Sequence, residues 1–159
     1  MKRLLAFLFL GLCISAFSCA TVIARNLPAA GDGWKIAISE VSVSQNSTYP
    51  VGQGHLESKD HPDEPLVWVN ITITNQAKQK RTFDYKRLVL SAGDIVRKPT
   101  LVDRDAGINI IIPSGRSDFD PEETLTRNVI FPFPKGKRPA SIKIPGIGEV
   151  KIPKTNPQD

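Results

Sequence analysis

Two segments carry side chains of the kinds and density that chemistry needs. His55 to Glu64, HLESKDHPDE, holds both histidines of the chain and four carboxylates. Nitrogen and oxygen donors so close together suit zinc, nickel or copper. Their spacing matches no ligand motif, and a polar loop does not preorganise its donors. A solvated loop is therefore expected, with no metal assigned. Asp103-Arg104-Asp105-Ala106-Gly107-Ile108-Asn109 alternates oxygen ligands and ends near a glycine. It lacks the distal bidentate glutamate of a calcium loop, so it reads as a turn.

Catalytic signatures are missing. There is no G-x-S-x-G, H-E-x-x-H or Gly-rich phosphate loop, and both cysteines, Cys13 and Cys19, lie in the first 19 residues. Glu122 and Glu123 are adjacent, so on a strand they face opposite ways, a poor arrangement for a glycosidase pair. Asn46-Ser47-Thr48 and Asn70-Ile71-Thr72 have the form of glycosylation sequons, read as coincidental if the source is bacterial, as a lipobox-like leader suggests. The expectation is a protein that is not an enzyme and takes no cofactor.

The first residues read as an address. Met1-Lys2-Arg3 is basic, and Leu4 to Ala24 is uncharged. A basic start, an apolar run and small residues near its end mark an export signal. Three fates are open. Cys19, preceded by Ala16-Phe17-Ser18, fits a loose lipobox and is the favoured site of lipid attachment. Ordinary cleavage after Ala20 or Ala24 is the second, and an uncleaved anchor is the third. All three export the rest of the chain, so the expected location is extracytoplasmic, with a membrane-anchored lipoprotein favoured over a free one. The formal charge is +5, of which Lys2 and Arg3 supply two. That mild excess suits an anionic envelope. The basic stretches, Lys78-Gln79-Lys80-Arg81 and Lys135-Gly136-Lys137-Arg138, lack the interleaved aromatics of a nucleic-acid platform, so no nucleic-acid partner is expected.

The expected layout is a leader at 1–24, a short tether at 25–33, one domain at 34–153 and a tail at 154–159. Within that domain the side-chain period is two. Trp34, Ile36 and Ile38 alternate with Lys35, Ala37 and Ser39, and Val41 and Val43 then take the opposite parity. A β-bulge near Ser39-Glu40 produces such a slip. Leu66 to Thr74 is the clearest strand, with Val67, Val69, Ile71 and Ile73 on one face and Leu66, Trp68, Asn70, Thr72 and Thr74 on the other. The thirteen prolines and eleven glycines of the chain punctuate the pattern, and no window after the leader has helical period. Seven to nine short strands are predicted, in an all-β, immunoglobulin-like antiparallel β-sandwich. Its core should include Val67, Val69, Ile71, Ile73, Leu88, Leu90, Val129, Phe131 and Ile144.

Three pieces carry a family resemblance: WVNITITN (68–75), FDYKRLVLSAGD (83–94) and PEETLTRNVIFPFPKGKRPASIKIPG (121–146). In order and turn chemistry they resemble the bacterial extracytoplasmic immunoglobulin-like domains called domain of unknown function 4352, similar in fold to small secreted antigens. The matching positions are Asn75 at a strand end, Leu88-Val89-Leu90 before Gly93, and Pro121-Glu122-Glu123 before Phe131-Pro132-Phe133-Pro134. Glu122 stands where that family carries glycine, and Pro132 is an addition. The resemblance implies fold and location, and no catalytic residue. The resulting expectation is an exported, non-catalytic binding or accessory module for an envelope protein, peptide or glycan. The long polar loop 45–65 is its expected contact surface, with Tyr49, His55 and His61 as contacts, and a sheet edge is a second surface. The alternatives are a structural or stress-related envelope protein without a specific ligand, or a weak metal binder using the 55–64 loop.

Overall fold

The computed structural model describes residues 20–51, 54–103 and 115–155. These residues form thirteen strands and one short 3₁₀ turn, with no α-helix among them. The larger sheet has five antiparallel strands. β1 (Thr21–Gly31) pairs with β2 (Trp34–Val43), β2 with β5 (Leu66–Asn75), β5 with β11 (Thr124–Pro132), and β11 with β9 (Leu101–Asp103). A four-stranded sheet faces it, in the order β13 (Gly148–Lys151), β12 (Ser141–Ile144), β7 (Val89–Ala92) and β8 (Ile95–Arg97). A two-stranded ribbon of β6 (Arg81–Asp84) and β10 (Arg116–Phe119) packs into the same core through Phe83 and Phe119. A hairpin of β3 (Thr48–Val51) and β4 (Gly54–Glu57) completes the set. The expected all-β sandwich is what forms. Its strand number exceeds seven to nine because the long loop is a hairpin and several strands are only three or four residues long.

The core lies between the sheets. Every core residue expected from the alternation is buried, at 1% exposure or less. Trp34 meets Phe83 and Phe119 edge-on at 5.4 and 5.3 Å, and Phe83 meets Tyr85 at 5.0 Å, joining the ribbon to the main sheet. The β-bulge falls where the parity slip put it, between Ile38 and Glu40 in the β2–β5 register.

The expected tether is not a tether. Residues 25–31 belong to β1, which begins at Thr21 and so also takes in the last four residues expected of the leader. Ile23 and Ala24 are core residues at 4% and 2% exposure. Among the described residues the folded part therefore includes Thr21–Gly31 ahead of Trp34. Physical reasons hid the strand. Asn26 has φ 55°, the register shifts between Val22 and Ala24, and Pro28 removes a donor, so no alternation survives. Proline is tolerated there because β1 is an edge strand. The turn to β2 is Asp32-Gly33, with φ 47° and 70°, the left-handed pair that two-residue hairpins require. Arg138 ties the strand start to the chain end, donating from Nη2 to the carbonyls of Ile23 (2.7 Å), Pro153 (2.8 Å) and Thr155 (3.1 Å).

Asn75 is fully buried at the junction of two turns. Its Nδ2 donates to the carbonyls of Gln79, Phe119 and Asp120, and its Oδ1 accepts from the Ala77 amide. The neighbouring turn at Asp120–Glu123 places Glu122 at φ 63°, the conformation that favours glycine.

Candidate functional site

Folding divides the 45–65 segment into parts with different roles. Tyr49 is a packing residue. It is fully buried, its ring lies 5.1 Å from that of Trp68, and it shares a small cluster with Leu66 and Ile130. Its hydroxyl donates to Asp103 Oδ2 at 2.8 Å. Burial first, then the Asp103 carboxylate, push the Tyr49 phenol well above its ordinary range. Tyr49 thus pins the hairpin to the outer face of the five-stranded sheet and cannot serve as the exposed contact expected of it.

His55 is exposed on β4, opposite Pro50. His61 lies beyond the hairpin, with Nδ1 3.7 Å from Glu64 Oε1. Glu64 is held by Arg97, whose Nε donates to Oε2 at 2.7 Å and whose Nη2 donates to Oε1. That hydrogen-bonded pairing lowers the Glu64 pKa and raises that of Arg97. His61 and Arg97 border a cavity of about 510 Å³ with Lys59, Asp60 and Lys98. Its charges are mixed, and Arg97 is engaged by Glu64. Among the described residues no three His, Cys, Asp or Glu side chains converge as a metal site. Of the calcium-like segment, Asp103 is buried against Tyr49, while 104–109 and Cys19 lie outside the described residues.

A different site emerges on the outer face of the five-stranded sheet. The bulge in β2 brings Ser39 and Glu40 beside Asn70 of β5, and Asn70 stands opposite Asn128 of β11. Ser39 Oγ donates to the backbone carbonyl of Asn70 at 3.2 Å and also to its side-chain Oδ1. Asn70 Nδ2 donates to Asn128 Oδ1 at 2.8 Å. The polar row continues along the same two strands, with Thr72 against Thr126 and Thr74 against Thr124, each pair 2.9 Å apart. At the other end the row meets Trp68, whose ring is braced by Tyr49. Ser39, Glu40, Ser42, Trp68, Asn70 and Asn128 line a cavity of about 320 Å³, within the size range of ligand sites.

The electrostatics of this cleft are simple. Glu40 is the one ionisable group in its lining, with Arg25 Nε of β1 3.5 Å from Glu40 Oε2. Both side chains of that pair are about half exposed, at 48% and 39%, so the pairing is weak and readily rearranged. The remaining polar groups are neutral hydroxyls and carboxamides, of which Ser39, Asn70 and Asn128 are joined by cross-strand hydrogen bonds. They can donate and accept, and the Trp68 wall supplies an apolar surface. Nothing in the lining is arranged to activate a nucleophile.

Recognition was expected in the 45–65 loop and not on this face. The cleft residues come from three strands, and only the pairing of β2, β5 and β11 brings them together. The available signals were Trp68 and Asn70 on the polar parity of the clearest strand, next to a bulge, a feature enriched beside binding sites.

No protein-family model and no curated protein matches the chain. In structure the chain is similar to a functionally unknown protein from Listeria monocytogenes EGD-e, seen in a crystal structure. The TM-score is 0.61 at 12% identity, over 87% of this chain and 90% of the other. At that identity the likeness is one of fold: the all-β architecture recurs over nearly the full length of both chains.

Proposed function

We propose that this protein is an exported, envelope-anchored, non-catalytic binding module of the immunoglobulin-like kind, recognising its ligand on the outer face of the five-stranded sheet. The observation that carries this reading is the polar cleft lined by Glu40, Asn70, Asn128 and Trp68, whose carboxamides are held across the strands by hydrogen bonds. Its leader supports export through the basic start, the apolar run and the small residues before Cys19. The resemblance to extracytoplasmic domains of unknown function 4352 points the same way.

Lipid attachment at Cys19 has a geometric consequence. Only Ala20 separates Cys19 from β1, so the sandwich would sit directly on the bilayer by the end where Thr21 pairs with Val43. Exposed Lys135 and Lys137 border a cavity with Val43 at that end. Near an anionic leaflet each such lysine contributes about 1 kcal/mol of attraction. The 135–138 loop then acts as a second contact beside the acyl anchor.

Site-specific photo-crosslinking in intact cells tests the reading. A photoreactive residue at Ser42, in the cleft, should give a discrete crosslinked species in the envelope fraction. The same residue at exposed Lys151, on the opposite sheet, should not. Recovery of the protein in the cytoplasmic fraction, or equal products from both positions, would overturn it.

A further inference from the structure

We infer that the cleft takes a neutral oligosaccharide. This rests on the binding-module reading and specifies its ligand class. Three features of the lining select the chemistry. First, the polar groups are those that meet sugar hydroxyls: one carboxylate (Glu40), two carboxamides (Asn70, Asn128) and two hydroxyls (Ser39, Ser42). A carboxylate accepts from hydroxyl donors, and carboxamides both donate and accept, matching a ligand whose hydroxyls do the same. Second, Trp68 offers an apolar wall at the end of this polar row, suited to the C–H face of a pyranose, and Tyr49 holds it in place from the other side.

Third, the charge pattern disfavours anionic ligands. No lysine lines the cleft, and the nearby Arg25 lies beside Glu40. Phosphorylated, sulfated and nucleic-acid ligands would meet a net acceptor surface. An apolar helix or acyl chain would strip water from Asn70 and Asn128 without replacing its hydrogen bonds, which disfavours such ligands. The shape agrees as well. The Thr72–Thr126 and Thr74–Thr124 pairs extend the polar row along the strands beyond the cavity, so an extended glycan could continue across the sheet. The cross-strand bonds hold Ser39, Asn70 and Asn128 before the ligand arrives, which limits the ordering cost that weakens loop-based sites.

The test is titration of the ¹⁵N-labelled mature domain with soluble chito-oligosaccharides and cello-oligosaccharides, with a sulfated oligosaccharide as the charge control. At least one neutral series should move the Trp68 indole and the Asn70 and Asn128 side-chain amide signals, leaving those of the β12–β13 hairpin in place. Glu40→Gln and Asn128→Ala should each weaken that binding about tenfold, the loss of one strong hydrogen-bonded contact. Glu40 is partly exposed, so its variant keeps the fold even if Asn128→Ala does not. If neither neutral series moves the cleft signals, or if both variants bind as the parent does, the saccharide assignment is wrong. Tighter binding of the sulfated control also overturns it. In each case the Ser42 crosslinking experiment still judges the module reading by itself.

Discussion

Replacing Ile23 by alanine, in a chain that starts at Ala20, tests whether the domain begins at β1. Ile23 is 4% exposed and packs in the main core, although β1 was expected to be leader up to Ala24 and tether from Arg25 onward. Removing most of an isoleucine side chain forfeits about 1.5–3 kcal/mol of transfer free energy. A cavity adds to this, and Ile→Ala changes in closed cores cost about 2–5 kcal/mol. β1 is an edge strand, so its neighbours can relax toward the gap, and the lower part of that range applies: about 2–3 kcal/mol. For a domain of this size that lowers Tm by roughly 10 °C. Thr21→Ala, at an exposed position of the same strand, should stay within about 0.5 kcal/mol of the parent. Urea unfolding of the three proteins, with the slope held common, gives both differences. Equal stability of the Ile23→Ala and Thr21→Ala proteins would refute the placement of β1 in the core and restore a domain beginning near Trp34.

Glu122→Gly should stabilise the domain by about 0.5–1 kcal/mol. It relieves a left-handed backbone costing about 1–2 kcal/mol and gives back part of that in chain flexibility; a destabilised variant in thermal melts would contradict the turn geometry. Asn75→Ala should cost roughly 2–4 kcal/mol, because the carbonyls of Gln79, Phe119 and Asp120 lose their common donor; a loss below about 0.5 kcal/mol would contradict its role. Glu64 has a lowered pKa in the fold, chiefly through Arg97, so its contribution is present above the ordinary carboxylate pKa and fades as pH falls through the lowered value. Glu64→Gln should therefore be less stable than the parent at neutral pH and converge with it in acid, and a pH-independent difference would contradict the ion pair. Tyr49 and Tyr85 are the two tyrosines of the chain, and burial raises both phenol pKa values. Their stabilising effect is present below about pH 10 and is lost as the pH climbs further, so phenolate absorbance should rise together with unfolding; ionisation of the folded protein near pH 10 would contradict their burial.

The parts of the fold legible in the sequence were those where alternation is unbroken. Val67 to Ile73 announces β5 and its buried face, and the parity slip after Ile38 announces the bulge. β1 was illegible because a positive φ at Asn26, a register shift and Pro28 each interrupt the period; the Asp-Gly pair before Trp34 was the surviving hairpin signal. The site was less legible than the fold. Tyr49 looks like a contact residue in a polar loop, and only the packing of the hairpin on Trp68 turns it inward. Ser39, Asn70 and Asn128 are separated by long stretches of chain, and no local pattern marks them as neighbours.

Mass spectrometry of the native protein's amino terminus, taken from separated envelope and cytoplasmic fractions, bears most directly on the export reading and on the strand that follows the leader. The expected result is an envelope protein whose first residue is an acylated Cys19, leaving β1 intact from Thr21. A cytoplasmic protein that retains Met1, or a mature chain beginning at Arg25 and lacking Ile23 and Ala24, would contradict it.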